Sequence, residues 1–389
     1  MPNTIQTREP GVVVMTPSAN SRRKRFRKPK LLTVLFSLLL LIALFHFIAV
    51  MHTAAPLVVP TDCLGLLRTT DYTQVVHLKP QAEAMGAVQL VDQLAGEQSV
   101  ALVSVTGNDT KHALAVYVFG CSIQQHTPKL TTLFSQQGLV QGTVEVSLDH
   151  TIVLSSLDTG LSPQQLALVQ PMQQNIYREY RWYNGTFEQV SFPSLYPVTS
   201  RGEAEQLQQQ ANSGQQVTWS NPLATAEQMA KDILKWPLLS SQDTVVSNNG
   251  TIAQVNLVSQ SPQMTVSVTL SRLIQQTNNG LWFVTAAHTS GISLKQAPFT
   301  TPISSPLLLH GAGVLADGQT AATLFDHTLS PMAIGSSNVL TVDTNGNFSG
   351  SVSFTNNNPG QPGLLLIQSL PPSGSSEMGQ MLLTNVIIG

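Results

Sequence analysis

The chain has 389 residues, which is enough for two or three domains. Only 10 % of the residues are charged, so polarity comes mainly from hydroxyl and amide side chains. This composition is more typical of secreted β-rich proteins than of cytosolic enzymes. From residue 52 onwards, 20 acidic residues face 11 basic ones. The resulting negative charge would repel phosphates and argues against a nucleic-acid partner.

The first 51 residues have the pattern of a membrane signal anchor. Residues 1–30 carry eight basic residues and one acidic residue, lack apolar periodicity, and are predicted to form a disordered cytoplasmic tail. Residues 31–51 follow without a formal charge, and as a helix they would span about 30 Å, the thickness of a bilayer core. Because the basic block lies only on the N-terminal side, we expect a single pass with the N-terminus inside.

The apolar segment has two other interpretations. A cleavable signal peptide has an apolar run of only about 7–15 residues, but the small residues Thr53, Ala54 and Ala55 keep cleavage open. A lipoprotein is excluded because no small residues directly precede Cys63. An uncleaved anchor is favoured, which would place the bulk of the chain, after a short tether at 52–62, outside the cytoplasm.

The two cysteines, Cys63 and Cys121, are a candidate disulfide. Both follow the apolar segment, and an oxidising compartment would allow them to pair. The alternative is two separate buried thiols. The sequence does not decide between them because it does not place the two Cα atoms within bridging distance.

Residues 63–196 are predicted to form a β-rich extracytoplasmic domain. Runs such as "SVALVSVTG" and "HALAVYVFGC" are β-branched or aromatic and are separated by the turn sequence "NDTK". "LVQGTVEVSL" and "HTIVLSSLD" form a second candidate pair. "SPQQLALVQPMQQ" indicates a short helical or irregular insertion.

The stretch "YREYRWYNGTFEQV" near the end of this domain combines aromatic and charged residues, so it could be a ligand-binding surface or part of the scaffold. Asn184-Gly185 predicts a two-residue hairpin turn, which places Trp182 opposite Phe187 and Arg181 opposite Glu188. Strand alternation then puts Tyr180, Trp182 and Phe187 on one face, predicted to be core. The other face, which includes Glu179, is predicted to be solvated and to carry an Arg181–Glu188 ion pair.

Residues 200–294 are predicted to form a small α+β module. Ser200 and Glu203 have the spacing of a capping box, and Gly214 is placed to end that helix. A second helix begins with the cap Asn221 and Pro222. Three strands follow, "IAQVNLVS", "MTVSVTLSRLIQQ" and "LWFVTAAHT", the last two joined by the hairpin turn "TNNG".

Residues 298–389 have evenly spaced strands with turn chemistry between them, which predicts an immunoglobulin-like β-sandwich. The fold class expected for the whole chain is therefore mainly β with an α+β module, behind an N-terminal transmembrane helix.

No motif in the sequence predicts a catalytic, cofactor or metal site. "DTNGNF", from Asp343, begins like a calcium loop. Such a loop requires glycine at its sixth position and glutamate at its twelfth, and both are lacking here, so a hairpin turn is the better interpretation. The nine histidines lack metal-ligand spacing. The sequence also has no glycine-rich loop that would bind phosphate, and no serine in a G-x-S-x-G motif. The acids of the first domain to inspect, expected to be solvated, are Asp149, Asp158, Glu179 and Glu188.

The C-terminal strands "TPISSPLLLHGAG", "TLFD" and "VDTNGNFSGSVSFT", with the loop "LPPSGSSEMG", resemble the immunoglobulin-like domain of bacterial spore-germination proteins. The resemblance covers less than a quarter of the chain and implies a link to sporulation. The sequences "ATAEQMAKDILKW" and "NGLWFVTAAHTSGI" of the middle module resemble domains in uncharacterised surface proteins of actinobacteria and spore-forming soil bacteria. That resemblance implies an envelope protein.

The function expected from the sequence is a non-catalytic binding or structural role at the bacterial cell envelope, without a small-molecule cofactor. The partner would be an envelope protein or a cell-wall glycan. One alternative is an extracytoplasmic hydrolase of envelope polymers, which would need two carboxylates at a defined separation in a cleft. Another is a transmembrane signalling protein, which would need a cytoplasmic partner for its short tail.

Overall fold

The computed structural model describes residues 62–389 apart from 168, 170, 237–239, 241 and 333–337. The predicted tail at 1–30 and the predicted membrane anchor at 31–51 lie outside these residues. Within them, no helix is long and apolar enough to span a membrane. The described chain is mainly β, and its strands form antiparallel sheets.

The described chain contains five short α-helices and twenty strands. The helices are α1 Cys63–Thr69, α2 Tyr72–Val75, α3 Pro163–Leu166, α4 Arg201–Asn212 and α5 Pro222–Asp232. The strands are β1 Glu83–Met85, β2 Gln89–Ala95, β3 Gln98–Gly107, β4 Leu114–Gln124, β5 Thr127–Leu139, β6 Thr143–Val146, β7 Ile152–Leu157, β8 Asn175–Tyr183, β9 Thr186–Val190, β10 Thr244–Asn248, β11 Ile252–Gln260, β12 Gln263–Ser271, β13 Phe283–His288, β14 Ser293–Leu294, β15 Leu307–Ala312, β16 Gln319–Phe325, β17 Thr341–Val342, β18 Phe348–Val352, β19 Gln361–Leu370 and β20 Gln380–Ile388.

The first nine strands build two facing sheets. One has the order β1-β3-β4-β5 with β2 also paired to β3, and the other has the order β6-β7-β8-β9. Their inner faces share a core that includes Val116, Ile152 and Leu154. The outer face of the first sheet is covered by α1 and by Tyr72 of α2. A disulfide between Cys63 and Cys121, with Cα atoms 5.4 Å apart, ties α1 to β4.

A seven-stranded sheet runs through the rest of the molecule in the order β10-β11-β12-β13-β20-β19-β16. It takes β10 to β13 from the segment predicted as the 200–294 module and the other strands from 298–389. The two segments meet where Ala287 of β13 pairs with Leu383 of β20. They therefore share one continuous sheet.

Strand alternation lets β19 serve two cores at once. Leu364 and Leu366 face the core under α5, whereas Leu365 and Ile367 face the core under the small sheet β14-β15-β18-β17.

The structure confirms the two predicted helix caps. Ser200 accepts a hydrogen bond from the Glu203 backbone N–H, and Asn221 caps α5 in the same way through Ala224.

Candidate functional site

The "YREYRWYNGTFEQV" stretch forms the predicted hairpin of β8 and β9. Trp182 is paired with Phe187 and Arg181 with Glu188. The Trp182 and Phe187 rings lie 5.0 Å apart, edge to face, and pack into the core between the first two sheets. The aromatic face is therefore scaffold. The predicted Arg181–Glu188 ion pair is not among the ion pairs of the described residues.

The prediction that Glu179 is solvated is wrong. Its side chain is only 6 % exposed, because the N-terminus of α4 covers that face of β8 and brings Arg201 against it. Arg201 Nε lies 2.9 Å from Glu179 Oε1, and Arg201 Nη2 lies 2.5 Å from Asp149 Oδ2. Thr151 donates a further hydrogen bond to Glu179. A buried carboxylate requires such partners.

Arg201 is the centre of this acidic cluster. Burial lowers the pKa of its guanidinium, but the charges and hydrogen bonds of Glu179 and Asp149 outweigh burial and leave the pKa above its ordinary value. The cleft beside the cluster has a volume of about 320 Å³ and is lined by both carboxylates, Arg181 and Arg201. Two predicted acids thus converge, but both bond to one arginine.

Asp158 was also predicted to be solvated, and that prediction is wrong for a different reason. It is 4 % exposed and lies 2.9 Å from Nε2 of buried His327, while Asn358 and the Gly160 backbone N–H donate to its other oxygen. Burial raises the pKa of Asp158, yet these hydrogen bonds bring it below its ordinary value. Glu188 is exposed, as predicted.

Glu203 is a buried titratable group that sequence reasoning treated only as part of a helix cap. It is 1 % exposed, and its Oε2 accepts from Ser200 at 2.6 Å, whereas Oε1 has no partner. Burial raises the pKa of Glu203 to about 7, against the lowering effects of His327 and Ser200. The apolar pattern of α4 gave no signal of this environment.

A second cleft lies between the first two sheets and the loop that precedes β19. We name it the amide cleft. Its volume is about 520 Å³, within the usual range for ligand sites. It is lined by Gln136, Gln137, Gly138, Leu139, Val140, Ser156, Leu157, Thr159, Arg178, Tyr180, Gln189, Pro302, Asn357, Asn358, Pro359, Gly360 and Gly389.

Among the described residues that line the amide cleft, Arg178 alone has a charged side chain, and it is already engaged. Its Nε and Nη2 donate to the Pro359 carbonyl at 3.1 and 2.9 Å, and its Nη1 donates to Ser156 at 3.0 Å. Burial lowers its pKa. Gln189 also donates to the same loop, through the Gly360 carbonyl at 2.6 Å. These bonds attach the loop before β19 to the β8–β9 hairpin.

Other polar groups of the cleft remain available to a ligand. Within the described chain, the side chains of Gln136 and Asn357 make no hydrogen bond to protein, and neither does the exposed Thr159 hydroxyl. An amide side chain offers both donors and an acceptor. Leu139, Val140 and the proline rings supply apolar surface beside them. The cleft can therefore bind a neutral molecule that carries both hydroxyl or amide groups and C–H surface.

The described residues provide no group of three or more His, Cys, Asp or Glu side chains that could hold a metal. The "DTNGNF" segment forms a turn between β17 and β18. There Asp343 accepts from the backbone N–H groups of Asn345 and Asn347, and Gly346 has a φ of 74°, a conformation that favours glycine.

Comparison with known proteins identified no relative: no family model, curated protein or solved structure matches the chain.

Proposed function

We propose that this chain is a membrane-anchored protein displayed outside the bacterial cytoplasm, where it binds cell-wall glycan without catalysis. The observation that carries the proposal is the amide cleft, which has free amide groups and apolar surface, and whose described lining residues include no acidic side chain. Glycans present hydroxyl and amide groups at their edges and C–H groups on their ring faces. Such a ligand would use both kinds of surface.

Location is proposed from charge and from the disulfide. The basic tail at 1–30 and the apolar segment at 31–51 favour a signal anchor with the N-terminus in the cytoplasm. The Cys63–Cys121 disulfide supports an extracytoplasmic place for the rest, since disulfides persist in oxidising compartments.

Residues 298–389 are proposed to be immunoglobulin-like, because two antiparallel sheets enclose their core. The resemblance of this segment to a domain of spore-germination proteins makes sporulation the proposed setting. An envelope protein is the alternative partner.

A hydrolase is the second candidate, since Asp149 and Glu179 converge beside a cleft of about 320 Å³. Glycoside hydrolysis needs one carboxyl that stays protonated to act as an acid. Arg201 bonds to both groups, so each carboxylate already has a cationic partner. This pairing makes binding the better proposal. Release of soluble sugars from cell walls by the unmodified protein, and its loss in Glu179→Gln, would instead establish the hydrolase.

Crosslinking in native membranes followed by pull-down of the full chain tests the proposed partner. Recovery of wall glycan is expected, whereas recovery of a single protein would replace glycan with an envelope protein as the proposed partner.

Protease treatment of intact cells tests the location. We expect the region after residue 62 to be degraded, and its survival on cells whose surface is accessible to the protease would contradict the proposed topology.

A further inference from the structure

Two hydroxyl groups without partners border one small cavity. Within the described part of the chain, the buried atoms Ser191 Oγ and Thr199 Oγ1 make no hydrogen bond. Thr199 is only 2 % exposed. Both residues line the same cavity, at the end of β9 and just before the N-cap of α4. Buried hydroxyls that lack a partner are uncommon in folded proteins and call for an explanation.

The cavity lies where three parts of the fold meet. Its wall takes Tyr177 and Glu179 from β8, Arg201 from α4, and Pro362 and Ile387 from the seven-stranded sheet. Its volume is about 10 Å³, which is about the smallest space that holds one water molecule. Any organic ligand is too large for it.

The charges in the wall do not require an ion. Glu179 and Arg201 are paired with each other at 2.9 Å, and Thr151 and Asp149 bind them further. Arg178, which also lines the cavity, donates to Ser156 and to the Pro359 carbonyl. The groups that lack partners are neutral hydroxyls, each of which can donate one hydrogen bond and accept others. A neutral ligand that both donates and accepts matches them.

We infer that one ordered water molecule occupies this cavity and bridges the hydroxyls of Ser191 and Thr199. A buried water bonds to two to four polar groups that would otherwise be unsatisfied, and the two hydroxyls meet the lower limit. The bridge joins both ends of the segment 191–199, which connects the first two sheets to α4. It would fix the position of α4, whose Arg201 neutralises Glu179.

Unfolding of the full chain by urea tests this inference through the sign of one effect. Thr199→Val removes the hydroxyl and keeps the side-chain shape. If a water is bridged, Thr199→Val and Ser191→Ala each lower the unfolding midpoint, and the double variant falls little further because both substitutions disrupt the same water. A hydroxyl in a dry cavity gives the opposite result, an unchanged or raised midpoint for Thr199→Val, because its burial is unfavourable. Thr225→Val is the matched control, since this buried hydroxyl has a carbonyl partner at 2.8 Å.

A crystal structure of the unmodified chain at better than about 2 Å resolution tests the inference independently of how the variants fold. The expected result is one density peak about 2.7–3.0 Å from both hydroxyl oxygens. An empty cavity would overturn the inference. So would a peak with shorter contacts to several oxygens, which indicates a cation.

Discussion

Glu179 of β8 and Arg201 of α4 form a buried ion pair, with Oε1 and Nε 2.9 Å apart and both side chains less than a tenth exposed. The pair connects the second sheet of the N-terminal half to the helix that opens the next segment. Its partner atoms come from positions 22 residues apart. Asp149, whose side chain is more than half exposed, adds a second contact to Arg201 at 2.5 Å.

Removal of one partner of this pair leaves the other charge buried. Arg201→Met is expected to lower the free energy of unfolding by about 3–5 kcal/mol, because Glu179 loses its main counter-charge. Urea unfolding at neutral pH measures the change. Arg181 lies on the same strand as Glu179 but is exposed. Arg181→Met is therefore the control and should change stability by less than about 0.5 kcal/mol. Equal effects of the two variants would contradict the role given to Arg201.

Glu203 should make the protein less stable as the pH rises from about 4.5 to about 7. Its folded pKa of about 7 lies above the value of 4.5 for a free carboxyl, so the folded state binds more protons in this range and stability falls with increasing pH. The difference amounts to about 3 kcal/mol. Glu203→Gln removes the titration and should be more stable than the unmodified protein at pH 8.

Urea unfolding at pH 5 and pH 8 measures this dependence. Exposed Glu188→Gln is the control and should retain the fall in stability between the two pH values. If Glu203→Gln shows the same fall as the unmodified chain, the dependence comes from other groups.

The disulfide should contribute substantially to stability because it closes a long loop. Cys63 and Cys121 are 58 residues apart, and the loss of loop entropy in the unfolded chain corresponds to about 4 kcal/mol. The Cys63→Ser/Cys121→Ser variant is expected to unfold at lower urea concentration. Addition of a reductant should shift the unmodified protein in the same direction and leave the variant unchanged. A shift in the variant would show that the reductant acts elsewhere.

Local features of the fold could be predicted from the sequence because neighbouring residues determine them. Asn184-Gly185 fixes the register of β8 and β9, and the side chains of Ser200 and Asn221 cap the helices that follow them. Each of these interactions depends on residues within a few positions. Short-range chemistry therefore predicted their geometry correctly.

Long-range contacts could not be predicted in the same way. Strand alternation correctly separates Glu179 from the aromatic face of the hairpin, but only the packing of α4 shows that Glu179 is buried. Asp158 likewise meets His327, which is 169 residues away in the sequence. The pairing of Ala287 with Leu383, which joins two predicted segments in one sheet, has no local signal either. The amide cleft depends on similar distant contacts, such as that between Arg178 and Pro359.

Binding of the full chain to purified cell-wall sacculi tests the proposed function most directly. Gln136→Ala/Asn357→Ala removes two amides of the cleft that have no protein partner, so it should fold normally and bind about tenfold more weakly. The control Gln216→Ala/Asn278→Ala removes two exposed amides from a separate groove near the C-terminus of α4 and should bind like the unmodified protein. Equal binding by all three proteins, or no binding by the unmodified one, would contradict glycan recognition in the amide cleft.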